Sequence, residues 1–164
     1  MKKEQSMITL NIPIKPYLKK YLTQKYGEKH TVRKSTLLGS IIIDILDRTY
    51  RKEKVTLQSA VTYPVTVPSS VVQNIGFDIS FVKLKKLESR VYKIFYNDLE
   101  SYMNVSIGEE LKIINEKNQS INKQNRIKAI EQFLRHYSIS EDEISADSVY
   151  RAMSRMAKVD KFVN

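Results

Sequence analysis

The sequence predicts a mixed α+β protein in which helices dominate, and three patterns lead to this prediction. Apolar and polar residues alternate over residues 7–14, as they do in a strand with one buried face. Longer segments repeat apolar residues at three- and four-residue spacing, which is typical of amphipathic helices. Residues 55–77 hold no charged side chain and are rich in Val, Thr, Ser, Tyr and Pro, a composition that favours a short β segment.

Residues 1–54 are predicted to form a basic module of one strand and two helices. Pro16 suits the first turn of the first helix, and Gly27 is expected to end it. Ser35 is expected to cap the second helix. The apolar side of the strand comprises Ile8, Leu10, Ile12 and Ile14. The apolar stripe of the second helix comprises Leu38, Ile41, Ile42, Ile45, Leu46 and Thr49.

The middle of the chain contains the uncharged β-rich segment, a helix and a linker. Pro64 lies within residues 55–77 and predicts an edge strand, because proline cannot donate to a sheet ladder. Residues 78–114 predict a long amphipathic helix that Gly108 weakens or ends. Residues 115–125 are polar and low in complexity, and we interpret them as a linker or a solvated helix end.

Residues 126–164 predict a compact C-terminal unit of three helices that is similar to a helix-turn-helix. Ser140 and Glu143 have the spacing of a capping box, which predicts a short second helix. Asp147 is expected to cap the third helix. The apolar stripe of the first helix comprises Ile127, Ile130, Phe133, Leu134 and Tyr137.

The positive charge of the chain is concentrated near its N-terminus. The whole sequence has 28 Lys and Arg against 18 Asp and Glu, a net charge of +10. Residues 1–54 carry 13 basic and 5 acidic side chains, a net charge of +8. A charge excess on one module indicates a docking surface for a polyanion. A second basic cluster lies on the long helix, where Lys86, Arg90 and Lys93 share one face with Lys83 nearby.

The composition argues against most catalytic chemistry. The chain has no cysteine, which excludes disulfides, thiolate nucleophiles and Cys-zinc sites. Its two histidines, His30 and His136, are far apart in sequence, and its four glycines do not form a phosphate-binding loop. We therefore predict a protein that is not an enzyme and that uses no metal, no cofactor and no small-molecule substrate.

No part of the sequence predicts a membrane span or a signal peptide. The longest apolar run, at Ile41-Ile42-Ile43, is followed at once by Asp44 and shortly afterwards by Asp47. The first residues lack the continuous apolar stretch of a signal peptide. The expected location is therefore the cytoplasm.

Residues 7–50 resemble the ribbon-helix-helix fold of small dimeric DNA-binding proteins. The resemblance is carried by the strand Ile8-Thr9-Leu10-Asn11-Ile12-Pro13, by Leu18 and Leu22, and by the run Ser35-Thr36-Leu37-Leu38 that opens an aliphatic helix. In that family, strands from two subunits pair antiparallel and enter the major groove. The resemblance therefore implies a homodimer that binds double-stranded DNA.

The same resemblance implies the residues that contact DNA. Thr9 and Asn11 on the outer face of the strand would read base edges, and asparagine can pair with adenine. The N-terminus of the second helix would meet phosphate through its backbone N–H groups. The implied phosphate contacts are Lys15, Lys19, Arg33, Lys34 and Ser35. The alternative interpretation is an ordinary strand and helix pair in a larger α+β core, with strand 8–14 pairing with residues 61–67 of the same chain.

The run Ser148-Val149-Tyr150-Arg151-Ala152-Met153-Ser154-Arg155-Met156 resembles the end of the transcription activators of transposable phages. It implies a second DNA surface on the third C-terminal helix. The residues of this surface are Tyr150, Arg151, Ser154, Arg155 and Lys158. A helical packing or dimerisation unit is the alternative.

These observations together predict a DNA-binding protein, sequence-specific or accessory, that regulates transcription for a phage or mobile element as a homodimer. The alternative prediction is a non-enzymatic protein–protein interaction or structural component whose basic face binds an acidic partner.

Overall fold

The computed structural model describes residues 7–57, 59–76, 78–116 and 123–160. It confirms a mostly helical α+β fold with six helices and one three-stranded sheet in the described part of the chain. In chain order the elements are β1 (Met7–Pro13), α1 (Pro16–Tyr26), β2 (His30–Thr31), α2 (Leu37–Asp47), β3 (Thr62–Pro68), α3 (Ser69–Ile75), α4 (Phe81–Glu116), α5 (Lys123–His136) and α6 (Ala146–Asp160).

The chain divides into two compact units, residues 1–93 and residues 94–164. The boundary between them lies inside α4, so that this helix belongs partly to each unit. The predicted module boundaries at residues 54 and 77 therefore lie inside the first unit. The reason is that β3, from the uncharged segment, completes the sheet that β1 begins.

The sheet has the strand order β1-β3-β2. β1 pairs antiparallel with β3 from Met7 opposite Pro68 to Pro13 opposite Thr62, and β2 pairs with β3 in parallel. The partner of β1 is thus a strand of the same chain, the pairing that the alternative interpretation predicted. The other edge of β1 has no neighbouring strand among the described residues.

Pro64 lies in the central strand of the sheet, and the prediction of an edge strand was wrong. The Ile14 N–H donates to the Val61 carbonyl at 3.0 Å, which fixes the alternation of hydrogen-bonded and non-hydrogen-bonded pairs along β1 and β3. Pro64 opposes Asn11 in a non-hydrogen-bonded pair, so its nitrogen points away from β1. On the side that faces β2, the pairing with β3 begins only at Val65, so the missing N–H of Pro64 removes no hydrogen bond from the sheet.

The register sorts the side chains of β1 and β3 onto two faces. Leu10 and Ile12 lie with Tyr63, Val65 and Val67 on the inner face, and all five are buried. Ile8, which was predicted to be buried, is 37% exposed because it lies near the free end of the strand. The helical residues that complete the buried core of this unit include Leu18, Tyr21, Leu22, Leu38, Ile42, Ile45, Leu87 and Val91.

The ends of α1 and α2 follow simple capping rules, with one correction. Gly27 ends α1 as predicted, at a φ of 89° that favours glycine. The residue that caps α2 is Thr36 and not Ser35, since the Thr36 hydroxyl accepts the Gly39 N–H at 3.1 Å. The expected loop between the two helices also contains the two-residue strand β2.

The helix α4 begins at Phe81, continues through Gly108 and ends at Glu116. Lys83, which was predicted to join the basic cluster, is instead buried, and its ammonium donates to the Leu46 carbonyl at 2.8 Å. A cation at the C-terminal end of α2 stabilises carbonyl groups that the helix leaves without intrahelical donors. Lys86, Arg90 and Lys93 remain exposed.

The second unit contains α5 and α6, joined by a turn. The predicted capping pair is present, because the Ser140 N–H donates to Glu143 Oε2 at 3.0 Å, but the segment forms a turn and not a short helix. Ser145 and not Asp147 caps α6, with its hydroxyl accepting the Ser148 N–H at 3.2 Å. Of the predicted 115–125 linker, residues 115–116 end α4, residues 123–125 begin α5, and residues 117–122 lie outside the described residues.

Gly39 allows a close approach between α2 and the loop before it. A Cβ atom at this position would lie 2.1 Å from the Arg33 carbonyl oxygen and 2.6 Å from the Arg33 nitrogen. In an open helix, glycine costs about 1 kcal/mol relative to alanine. Here the missing Cβ allows the loop backbone to rest on the first turn of α2.

We therefore expect Gly39→Ala to lower the free energy of unfolding, by about 2 kcal/mol, although alanine is the better helix former. Chemical denaturation followed by circular dichroism measures this change. Ser40→Ala is the matched control, because Ser40 is exposed on the same turn and should change stability little. Equal stabilisation by both variants would contradict the close approach.

Candidate nucleic-acid interface

The outer face of the sheet presents the two predicted base readers to solvent. Thr9 and Asn11 alternate with the buried Leu10 and Ile12, and both are exposed. The structure therefore places both predicted readers on one exposed side of β1.

The paired strands place further uncharged residues on the same side of the sheet as Thr9 and Asn11. Thr9 is in register with Thr66, which is in register with Thr31. Three threonines thus form a row across the sheet, but only Thr9 is exposed, since Thr66 is 4% exposed and Thr31 is half-buried. Asn11 lies in the neighbouring row beside the half-buried Pro64. None of these five side chains is charged. Hydroxyl and amide groups can donate and accept hydrogen bonds, which suits contact with base edges.

Lys15 and Lys19 lie beyond the C-terminal end of β1. Lys15 occupies the N-cap position of α1 in extended backbone conformation, and Pro16 follows it in the first turn. Lys19 lies one turn further along the helix, and both side chains are exposed. The opposite face of α1 is buried through Leu18 and Leu22. The amphipathic pattern of α1 therefore keeps both cations on the solvent side.

Arg33, Lys34 and Ser35 form an exposed loop between β2 and α2. The Thr36 hydroxyl holds this loop in place, since it donates to the Arg33 carbonyl at 3.1 Å and accepts the Gly39 N–H at 3.1 Å. The loop thus carries two cations at the positive end of the α2 dipole. Such a position favours an anion such as phosphate.

His30 joins the same cluster from β2. Its Nε2 lies 3.1 Å from the Thr36 hydroxyl oxygen. The Thr36 proton points to the Arg33 carbonyl, so that this oxygen acts as the acceptor and Nε2 carries a proton. Burial first, and the positive charge of Arg33 second, lower the pKa of His30. The imidazole is therefore held in its neutral form.

The predicted second DNA surface on α6 is exposed but already contacts acidic and backbone groups. Arg151 forms an ion pair of 2.6 Å with Asp147, and Asp147 also lies 3.3 Å from the Lys123 ammonium. The Lys123 ammonium lies 5.4 Å from the centre of the Tyr150 ring, which is half-buried. Arg155 is also exposed.

The remaining contacts of this surface are within the helix. Arg155 Nε donates to the Arg151 carbonyl at 3.3 Å, and the Ser154 hydroxyl donates to the Tyr150 carbonyl at 3.0 Å. The side chain of Lys158 lies outside the described residues. Asp147 thus balances part of the positive charge on this face of α6.

The sequence did not predict the residues that hold the basic loop of residues 33–35 in place. The sequence indicated no contact for Thr36 or His30, because their partners are set by the loop conformation. A signal was present at Thr36 itself, because threonine is a favoured N-cap residue.

Comparison with known proteins finds no matching family model, no matching curated protein and no matching solved structure. Within the described residues, no group of three or more His, Cys, Asp or Glu side chains is placed to hold a metal ion. No described helix combines the length and apolar character needed to cross a membrane.

We expect the free energy of unfolding to decrease as the pH is lowered below 6.5, the ordinary pKa of histidine. The pKa of His30 is lower in the folded chain, so the unfolded chain binds more protons below pH 6.5 and stability is lost as pH falls. Urea denaturation over the range in which histidine titrates, about pH 5 to 8, measures this dependence.

His30→Gln should flatten that acid-side loss of stability, because a glutamine amide can donate to Thr36 without titrating. His136→Gln, at an exposed histidine of the second unit, is the control. An unchanged pH dependence in His30→Gln would show that the buried imidazole does not cause the loss.

Proposed function

We propose that this chain is a non-enzymatic DNA-binding protein that contacts duplex DNA through its first unit. The observation that carries the proposal is the exposed, uncharged pair Thr9 and Asn11 on the outer side of β1, close in sequence to two exposed pairs of cations. Lys15 and Lys19 follow β1, and Arg33 and Lys34 follow β2.

The two kinds of residue have separate tasks in this proposal. Lysine and arginine neutralise phosphates, which supplies affinity for any sequence. Uncharged donors and acceptors on the sheet approach base edges, which supplies preference among sequences. The net charge of +8 on residues 1–54 supports a polyanionic partner.

The proposal includes a homodimer that forms through the open edge of β1. The N–H groups of Met7, Thr9 and Asn11 point to this edge, since they lie in non-hydrogen-bonded pairs with β3. A two-fold axis beside Thr9 would pair Met7 with Asn11 of a second copy. Pro13, which has no N–H, would lie outside this ladder. The two copies would then present one continuous outer face to DNA.

Regulation of transcription for a phage or mobile element is the biological role we infer. It is supported by the resemblance of residues 148–156 to the end of transposable-phage activators. On this inference the exposed Arg151 and Arg155 add contacts to DNA after the first unit has bound.

The first test is fluorescence anisotropy of the purified full chain with duplex DNA, single-stranded DNA and RNA over a range of salt concentrations. We expect duplex binding whose log K falls by several units per tenfold rise in salt, as multiple phosphate contacts require. If no nucleic acid binds even at low salt, the proposal fails. The basic face would then be assigned to an acidic protein partner.

We expect the double change Lys15→Glu and Lys19→Glu to weaken duplex binding by at least tenfold for every sequence, and to lower the salt dependence by about two phosphate contacts per subunit. The same anisotropy titration measures both effects. Arg126→Glu with Lys128→Glu is the matched control, because both side chains are exposed on α5 and the change in net charge is the same. Equal loss in both double variants would indicate a general charge effect.

The double change Thr9→Ala and Asn11→Ala should relax sequence preference while leaving non-specific binding intact. Each lost base contact is expected to reduce the discrimination by about 1–3 kcal/mol. Selection of bound sequences from a random duplex pool, with both proteins in parallel, measures the preference. An identical selected sequence for the variant and the original chain would show that other residues read the bases.

We expect Thr9→Pro to prevent dimer formation and leave the monomer folded, because the Thr9 N–H points to the open edge of β1 and not to β3. Sedimentation equilibrium measures the mass in solution. Thr9→Ala is the control, since it removes the side chain but keeps the N–H. A dimer of unchanged stability in Thr9→Pro would place the subunit contact elsewhere.

A further inference from the structure

A surface pocket of about 310 Å³ lies in the second unit, between the part of α4 after residue 94 and α5. Its volume is at the lower end of the range for ligand-binding pockets, which suits a small ligand or a single side chain. The residues that line it are Asp98, Ser101, Tyr102, Phe133, His136 and Tyr137.

Aromatic rings form most of the wall of this pocket. Phe133 is 3% exposed and lies between two tyrosines. Its ring centre is 5.6 Å from that of Tyr102 and 4.9 Å from that of Tyr137, with interplanar angles of 56° and 55°. The His136 ring meets Tyr137 edge to face at 4.9 Å. The half-buried rings of Tyr102 and Tyr137 thus flank the buried Phe133 ring in the wall of the pocket.

The pocket lacks the excess of lysine and arginine that gives the chain its positive charge. The protein carries a net charge of +10, yet the six lining residues include the Asp98 carboxylate and the His136 ring, and neither lysine nor arginine. Burial first, and the Asp98 carboxylate second, raise the pKa of the Tyr137 phenol. The negative charge of Asp98 is therefore felt at an aromatic wall of the pocket.

Ring faces and a carboxylate attract the same kind of ligand. The face of an aromatic ring carries partial negative charge and binds cations, and several rings together bind alkylated ammonium groups. A strongly hydrated inorganic cation would gain less from such a surface, because it would exchange water for apolar contacts. An anion would meet both the ring faces and Asp98 unfavourably.

We propose that this pocket binds an alkylated ammonium group, with the rings of Tyr102, Phe133 and Tyr137 around its methyl groups and Asp98 beside its charge. Two sources supply this chemistry, a free quaternary ammonium compound and a methylated lysine side chain of another protein. The site is separate from the proposed DNA surface of the first unit and does not depend on it.

The test uses the full chain with choline chloride and with its uncharged isostere 3,3-dimethylbutan-1-ol, both followed by isothermal titration calorimetry and by saturation transfer to the ligand methyl protons in NMR. We expect choline to bind and the isostere not to bind. A peptide with trimethyl-lysine and the same peptide with unmodified lysine identify the source. Tighter binding of the trimethylated peptide than of choline indicates a protein partner, and the reverse order indicates a free compound.

Asp98→Asn should weaken choline or peptide binding roughly tenfold, because it removes the charge and keeps the shape. Tyr102→Leu should weaken it as well, and circular dichroism shows whether each variant is folded. Glu131→Gln is the matched control, because Glu131 is an exposed acid on α5 that does not line the pocket. The proposal is overturned if no cation binds, if the uncharged isostere binds as well as choline, or if Asp98→Asn and Glu131→Gln bind alike.

Discussion

The antiparallel pairing of β1 with β3 determines the arrangement of the whole first unit. Its register assigns Leu10, Ile12, Tyr63 and Val65 to the core and leaves Thr9 exposed on the other side. A shift by one residue would expose every buried side chain of β1, so the hydrophobic pattern strongly favours the observed register. The pairing also gives the N-terminal strand a partner about fifty residues away in sequence. The basic module and the uncharged segment therefore fold together.

A second constraint acts where the sheet meets α2. The Thr36 hydroxyl has one proton and two lone pairs, and its three contacts with Arg33, Gly39 and His30 use all of them. The arrangement requires a residue without a side chain at position 39 and a proton on Nε2 of the imidazole at position 30. The loop that carries Arg33 and Lys34 is thus held by neutral groups, which leaves its cations directed to solvent. The hydrogen bonds of Thr36 therefore fix the position of the loop, and the exposed Arg33 and Lys34 give it its positive charge.

The sequence predicted what depends on local periodicity and missed what depends on pairing. Alternation identified β1 and its outward residues, Thr9 and Asn11, and the three- and four-residue spacing identified the main helices. Periodicity could not reveal that Pro64 lies in the central strand, because an edge strand and a central strand differ only in which strands lie beside them. The burial of Lys83 was equally hidden, since its acceptor at Leu46 lies 37 residues away. The aromatic pocket also required two helices to meet, and spacing within either helix does not show that.

The prolines of β3 explain why the strand β2 is short. The N–H groups of even-numbered residues in β3 point to β2, as the bond of 2.8 Å from the Val32 N–H to the Thr66 carbonyl shows for this side of the strand. Pro64 and Pro68 both lack this donor, so that Thr66 is the donor between them. A parallel neighbour can therefore pair only around Thr66, which accounts for a strand of two residues. The chain must leave the sheet immediately afterwards, and it is this departure that places Arg33 and Lys34 at the start of α2.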